Sequence, residues 1–495
     1  MNKQLLHISV TALVLLAVLI VSTTYWQTWA VGDLADRQDN AIQLVARLTV
    51  DRGQILGAGG TVLATNRKHH KRGLTTFTRR YPTRGLAPQL IGYATDAGTT
   101  TGLEQSLDDY LTGANTNLSN TLQQTLDKLG GKTVHGDNVI LTLRPAVQAL
   151  ALQELAGRCG AVVAMDAKTG AVYAMASSPT YNPNLIQRPG GFASITRIQG
   201  SCGDASALVN NATAGLYPPG STFKMVTAAA ALDSGAYTPS STFVDPGYCV
   251  EYGQHVSNAG NPDQNGPETY GNVTLAQGFE HSINSVFCNV GKHIGGELIL
   301  TYAKRFGFYS VPPLDTPPSA SLASGLYKNG KLFDPKDESQ IDPGRLAFGQ
   351  FSMLATPLQM AMVGQTIANG GEEMQPYLVD RIDAPDGSLV SRTTPHTLGR
   401  PIKPQTAAEL NQMMQLVVQG GTGTTAQIPG VPVAGKTGTA ETGLAGVYDA
   451  WFVCFAPADN PRFVVAVQVE KQLNGFGASV SAPIAKAILE KLLGR

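Results

Sequence analysis

Gly215-Leu216-Tyr217-Pro218-Pro219-Gly220-Ser221-Thr222-Phe223-Lys224-Met225-Val226-Thr227-Ala228-Ala229-Ala230-Ala231-Leu232 is the stretch from which the rest of the chain can be read. Pro218, Pro219 and Gly220 discourage a helix before Ser221. Phe223 to Leu232 is rich in helix formers, so a helix is expected to begin at Ser221. Lys224, three positions on, then shares a helix face with Ser221, and the unpaired N–H groups of that first turn face whatever binds there. A hydroxyl with an amine beside it is a nucleophile with a built-in base. By itself such a pair is commonly a capped, solvated helix start. Ser221, however, is the only serine in the sequence with lysine three positions later, and its companions decide.

The 495 residues, 43% hydrophobic and 15% charged, suffice for two or three domains with at least one large core. Thirty-six basic and 36 acidic residues cancel, which leaves no electrostatic case for nucleic acid. The one basic cluster, Arg67 to Arg72, reads as a solvated loop, with contact to an anionic wall polymer or lipid as the lesser alternative. Eight histidines without ligand spacing and five cysteines without C-x-x-C give no sign of a metal, redox centre or other cofactor. Among Cys159, Cys202, Cys249, Cys288 and Cys454 the odd count leaves one without an intrachain partner. Cys454, inside an apolar strand pattern, is the expected buried thiol.

Leu5 to Tyr25 carries no acidic residue, lysine or arginine, and at about 1.5 Å per residue it is long enough to span a bilayer. Trp26 and Trp29 follow as an interfacial belt. Lys3 before the helix and Asp33, Asp36 and Asp39 after it place the N-terminus in the cytoplasm and the remainder outside. A cleaved signal peptide, with Thr28-Trp29-Ala30 as its site, is the alternative. Residues 31–158 read as an irregular α+β module containing a hairpin turned at Gly57 to Gly60 and a helix around Leu103 to Leu111. From about residue 159 the pattern changes. Gly160 to Met165 and Ala171 to Met175 form a buried hairpin, with partner strands expected at Val431 to Ala440, Ala450 to Phe455 and Arg462 to Glu470. Ala482 to Leu493 is an amphipathic closing helix. Early and late strands then make one antiparallel sheet with helices on it, an α+β arrangement.

Two further motifs accompany Ser221. Ser282-Ile283-Asn284 follows a helical stretch, Thr274 to Glu280, and offers a hydroxyl to relay a proton and an amide to hold a peptide carbonyl. Lys-Thr-Gly occurs twice. Lys168-Thr169-Gly170 falls in the turn of the early hairpin, where an ordinary turn is a sufficient account. Lys436-Thr437-Gly438-Thr439 instead follows Ala434 and Gly435, whose small side chains let a substrate backbone approach a strand edge.

With S-x-x-K, S-x-N and K-T-G in that order, the chain resembles the penicillin-binding protein and serine β-lactamase superfamily. Arg52-Gly53-Gln54-Ile55, Gly102-Leu103-Glu104, the Tyr-Pro-Pro-Gly before Ser221, Gly349-Gln350, Thr356-Pro357-Leu358-Gln359 and Ala450-Trp451-Phe452 resemble class B penicillin-binding proteins, most closely the actinobacterial penicillin-binding protein A type. Ile283 departs from the small or polar residue often found in the second motif. The resemblance implies a transpeptidase domain at 159–495, an antiparallel sheet with helices on both sides plus a helical subdomain. A non-catalytic dimerisation or pedestal-like module precedes it at 31–158, with a cytoplasmic tip and membrane anchor at 1–30. It further implies a D,D-transpeptidase that crosslinks peptidoglycan stem peptides and is inhibited by β-lactams. Ser221 is the implied nucleophile, Lys224 its base, Ser282 the proton relay and Lys436 the charge that lowers the Lys224 pKa. Asn284, Thr437, Gly438 and Thr439 hold the substrate, and the N–H groups of Ser221 and Thr439 form the oxyanion hole. A carboxypeptidase, a β-lactamase or a non-turnover penicillin sensor is the alternative; the E-x-x-L-N pattern of class A β-lactamases is missing from the sequence. The implied partners are a polytopic glycosyltransferase and other wall-synthesis proteins.

Overall fold

Two antiparallel-dominated sheets organise the chain, one built from residues 160–178 and 434–473 and one shared between its N- and C-terminal halves. The computed structural model describes residues 2–28, 47–71, 73–114, 133–203, 206–261 and 266–495. Helix α1 is Asn2–Thr28, followed by strands β1 (Ile55–Leu56), β2 (Val62–Lys71), β3 (Leu74–Arg80) and β4 (Asn138–Leu141). Helix α2 (Pro145–Leu155) leads into the hairpin β5 (Gly160–Asp166) and β6 (Val172–Ser178). The middle of the chain supplies α3 (Lys224–Asp233), α4 (Leu275–Glu280), α5 (Asn284–Ile294) and α6 (Pro357–Ala368). Next come β7 (Val379–Asp383), β8 (Leu389–Arg392), α7 (Pro404–Gln419), β9 (Ala434–Glu441), β10 (Val447–Ala456), β11 (Phe463–Leu473) and α8 (Ala482–Leu493).

A separate core lies on each face of a five-stranded sheet of order β9-β10-β11-β5-β6. Apart from β9, its strands are mostly apolar because both faces are covered. Val163, Met165, Val453, Phe455, Val464 and Ala466 pack towards α6. Val162, Ala164, Phe452, Cys454, Val465 and Val467 pack towards α2 and α8. The period-two alternation thus sorts one continuous apolar run into two cores. The early hairpin, the three late strands and the closing helix fall where the sequence places them. Cys159 pairs with Cys202 and Cys249 with Cys288, and Cys454 is a free, buried thiol.

The second sheet has order β8-β7-β4-β1-β2-β3, with β1 parallel to β4 and its other pairs antiparallel. Residues 138–141 therefore find their antiparallel neighbour at 379–383. Two local expectations are corrected. Arg67 to Lys71 is not a loop but the outer half of β2, paired residue by residue with β3, though it is solvent-exposed as a charged run must be. The helix around Leu103 to Leu111 is two short turns, Gly102–Ser106 and Asp108–Leu111, broken at Leu107. Helix α1 contains a 19-residue stretch, His7–Tyr25, long and apolar enough to cross a membrane, with Leu13, Leu16 and Leu19 exposed. Trp29, Asp33, Asp36 and Asp39, and the side chains of Lys3 and Trp26, lie outside the described residues.

Candidate active site

Ser221 lies in one 3-10 turn, Gly220–Phe223, that runs directly into α3, so the α-helix starts at Lys224 rather than at Ser221. The tighter turn has local causes. Gly220 takes the left-handed conformation, φ 51, and the Thr222 hydroxyl donates back to the Pro219 carbonyl at 2.7 Å. The turn is clamped from outside as well. Trp451 Nε1 donates to the Pro218 carbonyl at 2.9 Å, and Tyr217 exchanges both backbone hydrogen bonds with Ala355. Gly438 of β9 sits against it so closely that a Cβ there would lie 2.9 Å from the Pro219 carbonyl oxygen, from Thr222 and from Trp451. That contact explains the glycine: Gly438 faces the turn that bears Ser221, while Thr437 and Thr439 on the alternate face line the cleft.

The cleft encloses about 770 Å³ and is lined by Ser221, Ser282, Asn284, Thr437 and Thr439 among others. Lys224 is completely buried at its base. Its Nζ donates to the Ser282 carbonyl at 2.7 Å and to Asn284 Oδ1 at 2.8 Å, and lies 3.3 Å from Ser282 Oγ. The amine thus bridges the second motif, and among the described residues it makes these bonds rather than one to the Ser221 hydroxyl. Ser282 reaches it from a left-handed backbone, φ 59, in the tight link between α4 and α5. A non-glycine residue held there is strained, and such positions concentrate at functional sites. The capping box of Thr274 with Gln277 starts α4, and the Cys249–Cys288 disulfide pins α5.

Burial, and secondarily the charge of Lys436, pushes the Lys224 pKa well below the ordinary lysine value. Lys436 is also completely buried. Its Nζ donates to the Thr437 carbonyl at 3.3 Å and lies 5.4 Å from the centre of the Phe279 ring; burial lowers its pKa to about 7. A neutral Lys224 amine has two N–H bonds, enough for the Ser282 carbonyl and Asn284 Oδ1, and keeps its lone pair to accept a proton. Lys168, by contrast, is exposed in the β5–β6 turn, where the Lys168 and Thr169 N–H groups both donate to Asp166 Oδ1 at 2.9 Å.

Two groups escape the sequence reading. Thr422 shares a 2.6 Å hydroxyl hydrogen bond with Thr437 and lines the cleft. The glycines at 420, 421 and 423 are its only signal: a Cβ on Gly421 would lie 2.4 Å from the Glu280 carbonyl oxygen, so the loop needs a bare backbone to come that close. Asp245, also buried, accepts from Ser285 Oγ at 2.5 Å, from Asn258 Nδ2 at 3.0 Å and from the Gly247 and Tyr270 N–H groups. It fixes the first turn of α5, and hence Asn284, against the opposite cleft wall.

Comparison with known proteins agrees with this geometry. Residues 160–490 match the penicillin binding protein transpeptidase domain, and residues 52–139 match the penicillin binding protein A dimerisation domain. The peptidoglycan D,D-transpeptidase PbpA of Mycobacterium tuberculosis is 33% identical, covering 100% of this chain and 99% of its own. Its counterpart in Mycolicibacterium smegmatis is 34% identical with the same coverage. Among solved structures, penicillin-binding protein A from M. tuberculosis as a ceftriaxone acyl-enzyme superimposes with a TM-score of 0.79. It is 32% identical and covers 90% of this chain and 99% of that one. The D,D-transpeptidase domain of a peptidoglycan glycosyltransferase from Eggerthella lenta gives 0.74 at 35% identity, covering 90% of this chain and 99% of that one. Matched across its catalytic half by one family model and end to end by those relatives, the chain belongs to the class B penicillin-binding proteins.

Proposed function

We propose that this protein is a peptidoglycan D,D-transpeptidase in which Ser221 carries the acyl group. The observation that carries this reading is the buried Lys224 amine, held on Ser282 and Asn284 at the foot of the Ser221 cleft with its pKa lowered. Ser221 Oγ forms a bond to the carbonyl carbon of the penultimate D-alanine as its proton passes to Lys224. The C–N bond to the terminal D-alanine then breaks, and the proton reaches the leaving amine through Ser282. An amino group of a neighbouring stem peptide attacks the ester, making the crosslink and returning the proton to Ser221. The N–H groups of Ser221 and Thr439 serve the oxyanion. A Cβ on Gly220 would lie 2.9 Å from the Thr439 carbonyl oxygen, so the two peptide units are neighbours. Asn284 and Thr437 hold the substrate amide, and burial, with the charge of Lys436 second, keeps Lys224 neutral. A β-lactam enters the same steps and stops at the ester.

The single apolar N-terminal helix supports residues 1–30 as a membrane anchor with a cytoplasmic tip, residues 31–158 as a non-catalytic pedestal and dimerisation module, and residues 159–495 as the exported transpeptidase. Two disulfides favour that oxidising side. A polytopic glycosyltransferase is the partner this arrangement suits. The test is turnover of a donor stem peptide with and without an amine acceptor: crosslinked product is expected only with the amine, and release of free acid as the sole product would mark a hydrolase. Ser221→Ala should abolish covalent labelling by a fluorescent penicillin; labelling that persists overturns the assignment.

A further inference from the structure

A second cavity, of about 600 Å³, lies where the β2–β3 hairpin meets the segment 182–188, and it shares no lining residue with the Ser221 cleft. Arg67, Arg79, Arg80, Arg84 and Arg188 line it, with Thr78, Asn182 and Asn184. The hairpin register explains the convergence. Arg67 pairs with Thr78 and Thr65 with Arg80, so Arg67 and Arg80 emerge on one face of the hairpin. Arg79 emerges on the other, where its guanidinium binds Glu104 at 2.6 Å. Arg52 and Arg79 are thereby balanced by Glu104 and Asp108. The other four arginines of the cavity, Arg67, Arg80, Arg84 and Arg188, have no carboxylate partner among the described residues, in a chain whose formal net charge is +0.

The cavity is also pre-shaped. Asn184 accepts from the Tyr81 N–H at 2.9 Å and donates to the Tyr81 carbonyl at 2.8 Å, stapling the end of β3 to the 182–188 segment. Arg84 is held in the left-handed region, φ 51, where a non-glycine residue rests only at a cost. Four like charges facing one space repel each other, and a multiply charged anion removes that repulsion. Guanidinium forks match phosphate oxygens pairwise, and a carboxylate brings one charge where a pyrophosphate brings several.

We propose that this arginine cavity is a phosphate-binding site, built for a pyrophosphate or phosphodiester group and separate from the transpeptidase cleft. The experiment titrates the full-length, detergent-solubilised protein calorimetrically at low salt with two probes: inorganic pyrophosphate, and a short-chain phosphatidylglycerol below its micellar concentration. Saturable binding is expected, weakened about tenfold or more in Arg80→Gln/Arg188→Gln and falling with added salt. Lys68→Gln, on the opposite hairpin face, should bind as the parent does. All variants should retain the parental rate of penicillin acylation, which reports an intact fold. Binding of both probes in mutual competition assigns the site to a lipid headgroup, and binding of pyrophosphate alone assigns it to a soluble phosphate. Binding of neither probe overturns the proposal, as does an equal loss in Lys68→Gln.

Discussion

Two buried lysines stand out at the level of single residues, because neither has a carboxylate partner among the described residues. Lys436 shows what that costs and gains. Its pKa in the folded protein is about 7, against 10.5 in the unfolded chain. Between those values the unfolded chain holds a proton that the folded one lacks, so stability rises with pH through that window, by up to about 1.4 kcal/mol per unit. Below the window both states are charged, and burial of the ammonium is a fixed penalty. In Lys436→Met, the part of the melting-temperature rise between about pH 7 and 10 that comes from this lysine should be gone. An unchanged profile would show that another group supplies the slope. The duplicated motif provides an internal control. Lys436→Ala should slow acylation by penicillin by orders of magnitude, whereas Lys168→Ala, confined to a solvated turn, should leave it at the parental rate. Stopped-flow acylation rates on folded variants separate the two outcomes.

Among the elements, the decisive contact is between β9 and the turn that bears Ser221. Gly438→Ala introduces a methyl group 2.9 Å from three atoms of that turn and of β10, so turn and strand must part by a few tenths of an ångström. Acylation should fall about 100-fold, since small misplacements in an acyl-transfer site are that costly, while far-ultraviolet circular dichroism stays the same. Full activity in this variant would mean that the turn is free to move. The sequence made β5, β6 and the three late strands legible because both of their faces are buried and their apolar runs are unbroken. It also singled out Lys224, by its spacing from Ser221 and its companion motifs, and Lys436, by the small residues before it, and the fold buries both. Arg67 to Lys71 was misread because a charged strand without a core face has no alternation to show; its pairing with β3 is supplied by a partner across a short turn. The hydrogen bond of Thr422 to Thr437 and the Asp245 hub depend on which loops meet in space, and neither residue sits in a local pattern that announces it.

For the whole molecule, a buried charge cluster ties the N-terminal segments to one another, and a shared sheet joins them to residues 379–392. Glu104 is fully buried, which alone would raise its pKa, yet Arg79 and Arg52 bring it below the usual carboxylate value. With the folded pKa depressed, its contribution is complete above about pH 4.5 and is lost as pH falls through the folded value. Glu104→Gln leaves Arg79 without its counter-charge and Arg52 with Asp108 alone, and should destabilise the protein by about 3 kcal/mol or more at pH 7, with a flatter acid limb. Denaturant melts at pH 7 and below pH 4 read both effects; parental stability at pH 7 would show that the cluster is dispensable. The shared sheet has a different consequence, one of timing. Asn138 to Leu141 pair with Val379 to Asp383, strands about 240 residues apart in the chain. At roughly 5–20 residues per second, a ribosome needs about 12–50 s to supply the missing neighbour. Throughout that interval β4 is an open edge, able to template pairing with another nascent chain. Chaperone capture during synthesis should therefore concentrate on residues 138–141 and end abruptly once residue 392 has emerged.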